Sequence, residues 1–103
     1  MKSKTEKRLR VGIGGLGAIG GTLVQHLDDG IEGLSLVAIA VRDRDKVRPN
    51  LERLKVQPKI VGLGDLAEVA DVVVECAPAG VFDEVAIPAV EAGRILVPAS
   101  VGA

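Results

Sequence analysis

The chain has no tryptophan and no tyrosine, and Phe82 is its one aromatic residue. An aliphatic core of Val, Ile, Leu and Ala must therefore do all the packing, the usual filling of a parallel sheet covered on both faces. There is one cysteine, Cys76, and one histidine, His26. No disulfide framework and no Cys/His metal cluster can be assembled from them, so a reducing, cytoplasmic setting is expected and no metal site is assigned. Formal net charge is −1, which gives no electrostatic case for nucleic acid or for an anionic membrane. No apolar run reaches the ~18 residues of a membrane span. The start of the chain lacks the apolar stretch of a signal peptide. It is basic from Lys2 to Arg10, but short and without interleaved aromatics, and reads as a solvated, frayed extension over residues 1–8. No internal repeat or low-complexity tract is visible.

What is present is 103 residues, enough for one domain, with 48 % hydrophobic residues and a glycine-rich segment near the front. An apolar strand, Leu9–Ile13, runs into Gly15-x-Gly17-x-x-Gly20, and an amphipathic helix opens directly behind it. This is the fingerprint of a dinucleotide-binding βαβ unit. Gly15 permits the tight turn out of the strand. Gly17, lacking a Cβ, lets the backbone approach a pyrophosphate. Gly20 lets the helix pack closely on the sheet. The helix N-terminus offers unpaired N–H groups and a positive dipole end to the phosphates.

The rest alternates in the same sense. The first helix spans about Ala18–Leu27, with Ile19, Leu23 and Leu27 recurring every four residues beside Val24, and Gly30 ends it. A second strand, Leu34–Val41, is nearly all apolar. The charged run 42–50 ends it, and a short helix is expected at Leu51–Leu54 with Pro49 at its start and Pro58 beyond its end. Lys59–Val61 reads as a third strand, Asp65–Val69 as a helical turn and Asp71–Cys76 as a fourth strand. A last helix follows over Val81–Ala92, with Pro88 expected to kink it or split it in two. Ile95–Pro98 is the fifth strand. This pattern predicts an α/β, Rossmann-type doubly wound parallel sheet in a single domain over residues 9–103, with strand order 3-2-1-4-5. The switch point then lies between strands one and four, where the loops 14–20, 76–80 and 99–103 converge.

An acidic residue commonly ends the second strand, about 20 residues past the glycines, to bind the adenosine ribose. Here the strand runs into Arg42-Asp43-Arg44. If the key side chain is Arg42, its guanidinium can meet a 2′-phosphate and NADP is favoured. If it is Asp43, the ribose diol is read directly and NAD is favoured. Arg42 is preferred, with both cofactors accepted. Cys76 is rejected as a nucleophile, because it ends an apolar strand and His26 lies on a different element; it reads as a small buried hydrophobe. His26 reads as a surface or boundary residue. Glu75 is a carboxylate inside an apolar strand. It either reaches the strand-end loop near the nicotinamide side or bonds neighbouring backbone amides, and the second is preferred.

Three segments, GGLGAIGGTLVQHL, DVVVECAPAGVFDEVAIPAVEAGRILV and the terminal PASVGA, resemble the L-aspartate dehydrogenase family. The resemblance covers about Leu9 to Ala103 and weakens in residues 44–63. The segment VAIAVRDRDK also resembles homoserine dehydrogenases, but residues 99–102 do not follow their usual Thr-Ala-Asn-Lys pattern, so that family ranks second. The first resemblance implies oxidative deamination of L-aspartate to iminosuccinate, then oxaloacetate, or the reverse, with NAD or NADP. By carry-over it implies Gly15, Gly17, Ala18, Ile19 and Gly20 at the pyrophosphate, Arg42 and Asp43 at the adenosine ribose, and Ala77 and Pro78 beside the cofactor. It also implies Ser100, Val101 and Gly102 near the nicotinamide ribose.

Members of that family are well over twice as long, and their substrate-binding and acid–base residues lie in a second domain. No residue of this chain therefore receives a catalytic role. The expected partners are the nicotinamide dinucleotide and a missing second domain or a homo-oligomer partner, such as a dimer mate. Apolar surface is expected on strand five and along 78–92. The competing reading is a stand-alone dinucleotide-binding module with a redox-sensing or regulatory role and no catalysis.

Overall fold

The computed structural model describes residues 8–78 and 80–100. Five strands and four helices alternate: β1 Leu9–Gly14, α1 Ala18–Asp29, β2 Leu34–Ala40, α2 Arg44–Leu51, β3 Lys59–Val61, a 3-10 turn Leu63–Asp65, α3 Leu66–Val69, β4 Val72–Glu75, α4 Phe82–Glu91 and β5 Ile95–Pro98. The strands form one sheet in the order β3-β2-β1-β4-β5, every pair parallel, as the alternation predicts. β1 is central, and one of its faces carries Gly12 and Gly14.

That face explains the packing. Val11 and Ile13 point to one side of β1 and Gly12 and Gly14 to the other. On the glycine side α3 and α4 lie so close that a Cβ on Gly12 would stand 2.8 Å from Leu66, and one on Gly14 would stand 3.0 Å from Val85. The core on this side is Ala38, Ala40, Leu66, Val73, Val85, Ala89 and their neighbours. The opposite core joins Val11, Ile13, Leu36, Ile39 and Val74 to Val24 and Leu27 of α1 and Leu51 of α2. The register between β1 and β2 slips at Val11/Gly12, pairing Val11 with Leu36 but Gly12 with Ala38. This irregularity lets Leu36 and Ile39, three apart, share one face.

Three expectations change. α2 does not start at Leu51; it ends there, running from Arg44 with Asp43 as its N-cap and Pro49 inside it. The Asp43 carboxylate accepts from Lys46 N at 3.2 Å, and this cap nucleates a helix within the charged run that was expected only to end a strand. Of the two outcomes expected at Pro88, a kink or a split, the split does not occur: α4 is continuous from Phe82 to Glu91, held by Val85, Ala86 and Ala89 in the core. On α1 the buried stripe is Val24 and Leu27, while Ile19 is 53 % exposed, so the helix is rotated from the expected every-fourth-residue face.

Apolar side chains remain uncovered at one edge. Ile95 and Val97 of β5 and Ile87 and Val90 of α4 are exposed. Among the described residues no helix is long and apolar enough to cross a membrane.

Candidate functional site

The turn between β1 and α1 assigns each glycine a different constraint. Gly15 has φ +94°, and a Cβ there would stand 2.7 Å from Ala77 Cα. Its N–H donates to Ala40 O at 2.7 Å, which ties the turn to the end of β2. A Cβ on Gly20 would stand 2.7 Å from Gly15 O and 3.3 Å from Cys76 Cβ, so Gly20 packs against the turn it follows. Gly17 is unlike both: nothing lies within 4 Å of where its Cβ would be. Gly17 is the N-cap of α1 in extended conformation (φ −78°, ψ −163°) and brings no side chain to cap the helix. The first helical bond, Gly21 N to Gly17 O at 2.8 Å, leaves the N–H groups of the preceding turn without intrahelical acceptors. The helix therefore opens with bare donors beside empty space, the electrostatic arrangement that favours an anion. Ala18 and Ile19 are the first two residues of this turn.

Beside it a cleft of about 150 Å³ is lined by Gly15, Leu16, Val41, Arg42, Leu63, Ala77, Pro78 and Val81. It lies across the C-terminal ends of β2, β1 and β4, the switch point expected from the strand order. Of the sequence candidates, Gly15, Arg42, Ala77 and Pro78 meet there. Ala77 is buried and Pro78 exposed. Asp43 points its carboxylate at the amide of Lys46 and acts as a helix cap. Arg42 crosses to α4, where its Nη2 donates to Glu84 Oε1 at 2.6 Å; both side chains are more than half exposed. Val101 and Gly102 lie outside the described residues.

Glu75 is fully buried at the end of β4. Its Oε2 accepts from Ala77 N at 2.9 Å, the preferred structural role, and its Oε1 accepts from Ser100 Oγ at 2.5 Å. Its carbonyl also accepts from Ala99 N and Ser100 N. One carboxylate thus fixes the loop after β4 to the segment leaving β5. Ser100 is in place near the switch point, with its hydroxyl hydrogen committed to Glu75. Burial, helped by the neighbouring Glu75 carboxylate, pushes the Cys76 thiol above its ordinary value, so it is a poor nucleophile. His26 is exposed on α1. Away from the switch point, Arg10 grips Asp71 through its backbone N–H, Nε and Nη2, and this holds the Asp71 carboxyl at about 2.

Sequence reading missed Glu84, Leu16, Val41, Leu63 and Val81 at the cleft. An acidic residue in the first turn of a helix is so common that Glu84 carried no signal. Leu63 opens the 3-10 turn Leu63–Asp65, two residues ahead of the helical start expected at Asp65.

Residues 15–103 match the family described as homoserine dehydrogenase, NAD binding domain. The chain belongs to this family. The match begins at Gly15, the first residue of the glycine turn. An L-aspartate dehydrogenase from Bradyrhizobium diazoefficiens is 46 % identical over 91 % of this chain and 33 % of its own length. L-aspartate dehydrogenase 3 from Bordetella bronchiseptica is 38 % identical over all of this chain and 38 % of its own length. The resemblance to L-aspartate dehydrogenases is thus borne out, and homoserine dehydrogenase, ranked second, supplies the family's description. In structure, a myo-inositol 2-dehydrogenase from Lactobacillus plantarum superposes with TM-score 0.73 at 29 % identity, covering 87 % of this chain and 27 % of that one. The chain spans about a third of the length of the curated relatives it matches. These relatives favour a dehydrogenase cofactor domain over a stand-alone regulatory module.

Proposed function

We propose that this chain binds NAD or NADP at the switch point as the cofactor domain of an L-aspartate dehydrogenase. The supporting observation is the pairing at one place of two things a dinucleotide needs. The uncapped N-terminus of α1, with open space at Gly17, suits a pyrophosphate. The cleft between Arg42 and Pro78 suits an adenosine. Gly15, Gly17, Ala18, Ile19 and Gly20 hold the diphosphate, Arg42 faces the adenosine ribose while Asp43 beside it caps α2, and Ala77 and Pro78 border the cofactor. Ser100, held at the end of β4 by Glu75, is assigned to the nicotinamide side, and the resemblance assigns Val101 and Gly102 there with it.

The reaction assigned to the whole enzyme is hydride exchange between L-aspartate and the nicotinamide, giving iminosuccinate, or its reverse. Such transfer requires a substrate held against the nicotinamide C4. Within the cleft the charged lining residue is Arg42, a guanidinium that offers hydrogen-bond donors and no acceptor. Substrate binding and acid–base chemistry therefore belong to a second domain, expected in the two thirds of the relatives' length that this chain does not span. The exposed Ile95 and Val97 on β5 and Ile87 and Val90 on α4 offer that domain apolar surface to cover.

Calorimetric titration of the chain with NADH and NADPH tests the reading. Saturable one-to-one binding that Gly17→Val abolishes is expected. No heat of binding to either nucleotide at millimolar concentration would end it.

A further inference from the structure

The Arg42–Glu84 pair joins the end of β2 to the first turn of α4 at the rim of the cleft. Arg42 directly follows Val41, whose side chain lines the same cleft. Glu84 is anchored by its neighbour Val85, which is buried against Gly14 and belongs to the core with Ala89. The first turn of a helix also favours a carboxylate electrostatically. The guanidinium is thus held at 2.6 Å by a negative charge the fold supplies.

We propose that Glu84 is a cofactor-specificity residue that competes with the 2′-phosphate of NADP for Arg42. The inference rests on the dinucleotide-binding reading above and adds to it a residue outside the glycine turn. A 2′-phosphate is best recognised by a guanidinium offering two parallel donors. With Glu84 present, one Nη2 donor is already engaged, and the carboxylate repels the incoming phosphate. NADP must displace Glu84 to use Arg42 fully. NAD presents a neutral ribose hydroxyl in the same place and meets no such opposition. Both cofactors are accepted, and Glu84 shifts the balance toward NAD. An exposed ion pair is weak, so the handicap it imposes is modest and falls with salt.

The test is titration of the full chain with NADPH and NADH in four forms: unmodified, Glu84→Gln, Arg42→Ala and the double variant. Glu84→Gln is expected to tighten NADPH roughly fivefold while NADH stays within about twofold. Arg42→Ala weakens NADPH, and in its presence Glu84→Gln no longer tightens NADPH. Added salt shrinks the Glu84→Gln effect. Circular dichroism confirms that each variant folds, and Glu84→Ala serves as a second neutral replacement, with the same direction expected. An unchanged NADPH/NADH ratio in both Glu84 variants, with binding otherwise intact, overturns the role of Glu84 and leaves the dinucleotide reading standing. Absence of binding to either cofactor by the unmodified chain overturns both.

Discussion

Ser100 donates its hydroxyl to the buried carboxylate of Glu75 across the ends of β4 and β5. The same carboxylate accepts from the amide of Ala77, the residue against which Gly15 turns. A polar knot inside the sheet thus carries the geometry of the cleft from one loop to the next. Removing its donor leaves a buried acceptor unpaired. Ser100→Ala is expected to lower stability by about 1–3 kcal/mol in urea unfolding. Glu75→Gln should cost less, because its amide can accept from Ala77 N and donate to a reversed Ser100 hydroxyl. An unshifted midpoint for Ser100→Ala would show that the bond contributes nothing.

The three glycines of the turn should separate by phenotype. Gly20→Ala puts a Cβ 2.7 Å from the backbone oxygen of Gly15, and Gly15→Ala puts one 2.7 Å from Ala77 Cα at a positive φ. Each is expected to destabilise the fold by roughly 1–3 kcal/mol. A Cβ at Gly17 meets no protein atom within 4 Å, so Gly17→Val should stay within about 1 kcal/mol of the unmodified chain while losing nucleotide binding. Thermal melts and titrations of the three variants check the contrast. A Gly17→Val chain that melts as early as Gly20→Ala would contradict it.

Acid should weaken the fold through Asp71. Its pKa is held at about 2 by Arg10, chiefly by the side-chain hydrogen bond, against 3.8 for a free carboxyl. Between these values the unfolded chain binds the extra proton and the folded chain does not, so stability falls as pH drops through that window. The contribution is fully present above about pH 4 and is lost toward pH 2. Unfolding measured from pH 5 to pH 2 should show a shallower slope in Asp71→Asn. Identical slopes would remove the pair from the acid response.

Cys76 should be slow to modify. Its thiol is partly buried and titrates above its ordinary value. Alkylation by iodoacetamide at pH 7.5 is expected to be at least roughly tenfold slower in the folded chain than in urea. Equal rates would show that the site opens freely.

Much of this was legible because two signals agreed. The glycine spacing after an apolar strand and the β-α alternation both predicted a parallel sheet with order 3-2-1-4-5, and the structure has it. What failed did so where a local rule was outweighed. Pro49 was read as a helix start, yet the Asp43 cap begins the helix six residues earlier and Pro49 sits inside. Of the kink or break expected at Pro88, the break does not occur, because burial of Val85, Ala86 and Ala89 keeps α4 whole. Gly12 and Gly14 passed unremarked, although they admit Leu66 and Val85 to the sheet. Asp28 is buried and accepts from Val56 N at 2.9 Å, a contact between segments 28 residues apart that no local pattern encodes. The Arg42–Glu84 pair was invisible for the same reason, spanning 42 residues.

The most direct test of the central claim is an amide chemical-shift map of the chain titrated with NADH. Shifts concentrated at 15–20, 41–43 and 76–78 are expected, with the first turn of α1 moving most. Shifts confined to a hollow elsewhere, such as the one between Arg44, Arg48 and Gln57, or none at all, would contradict it.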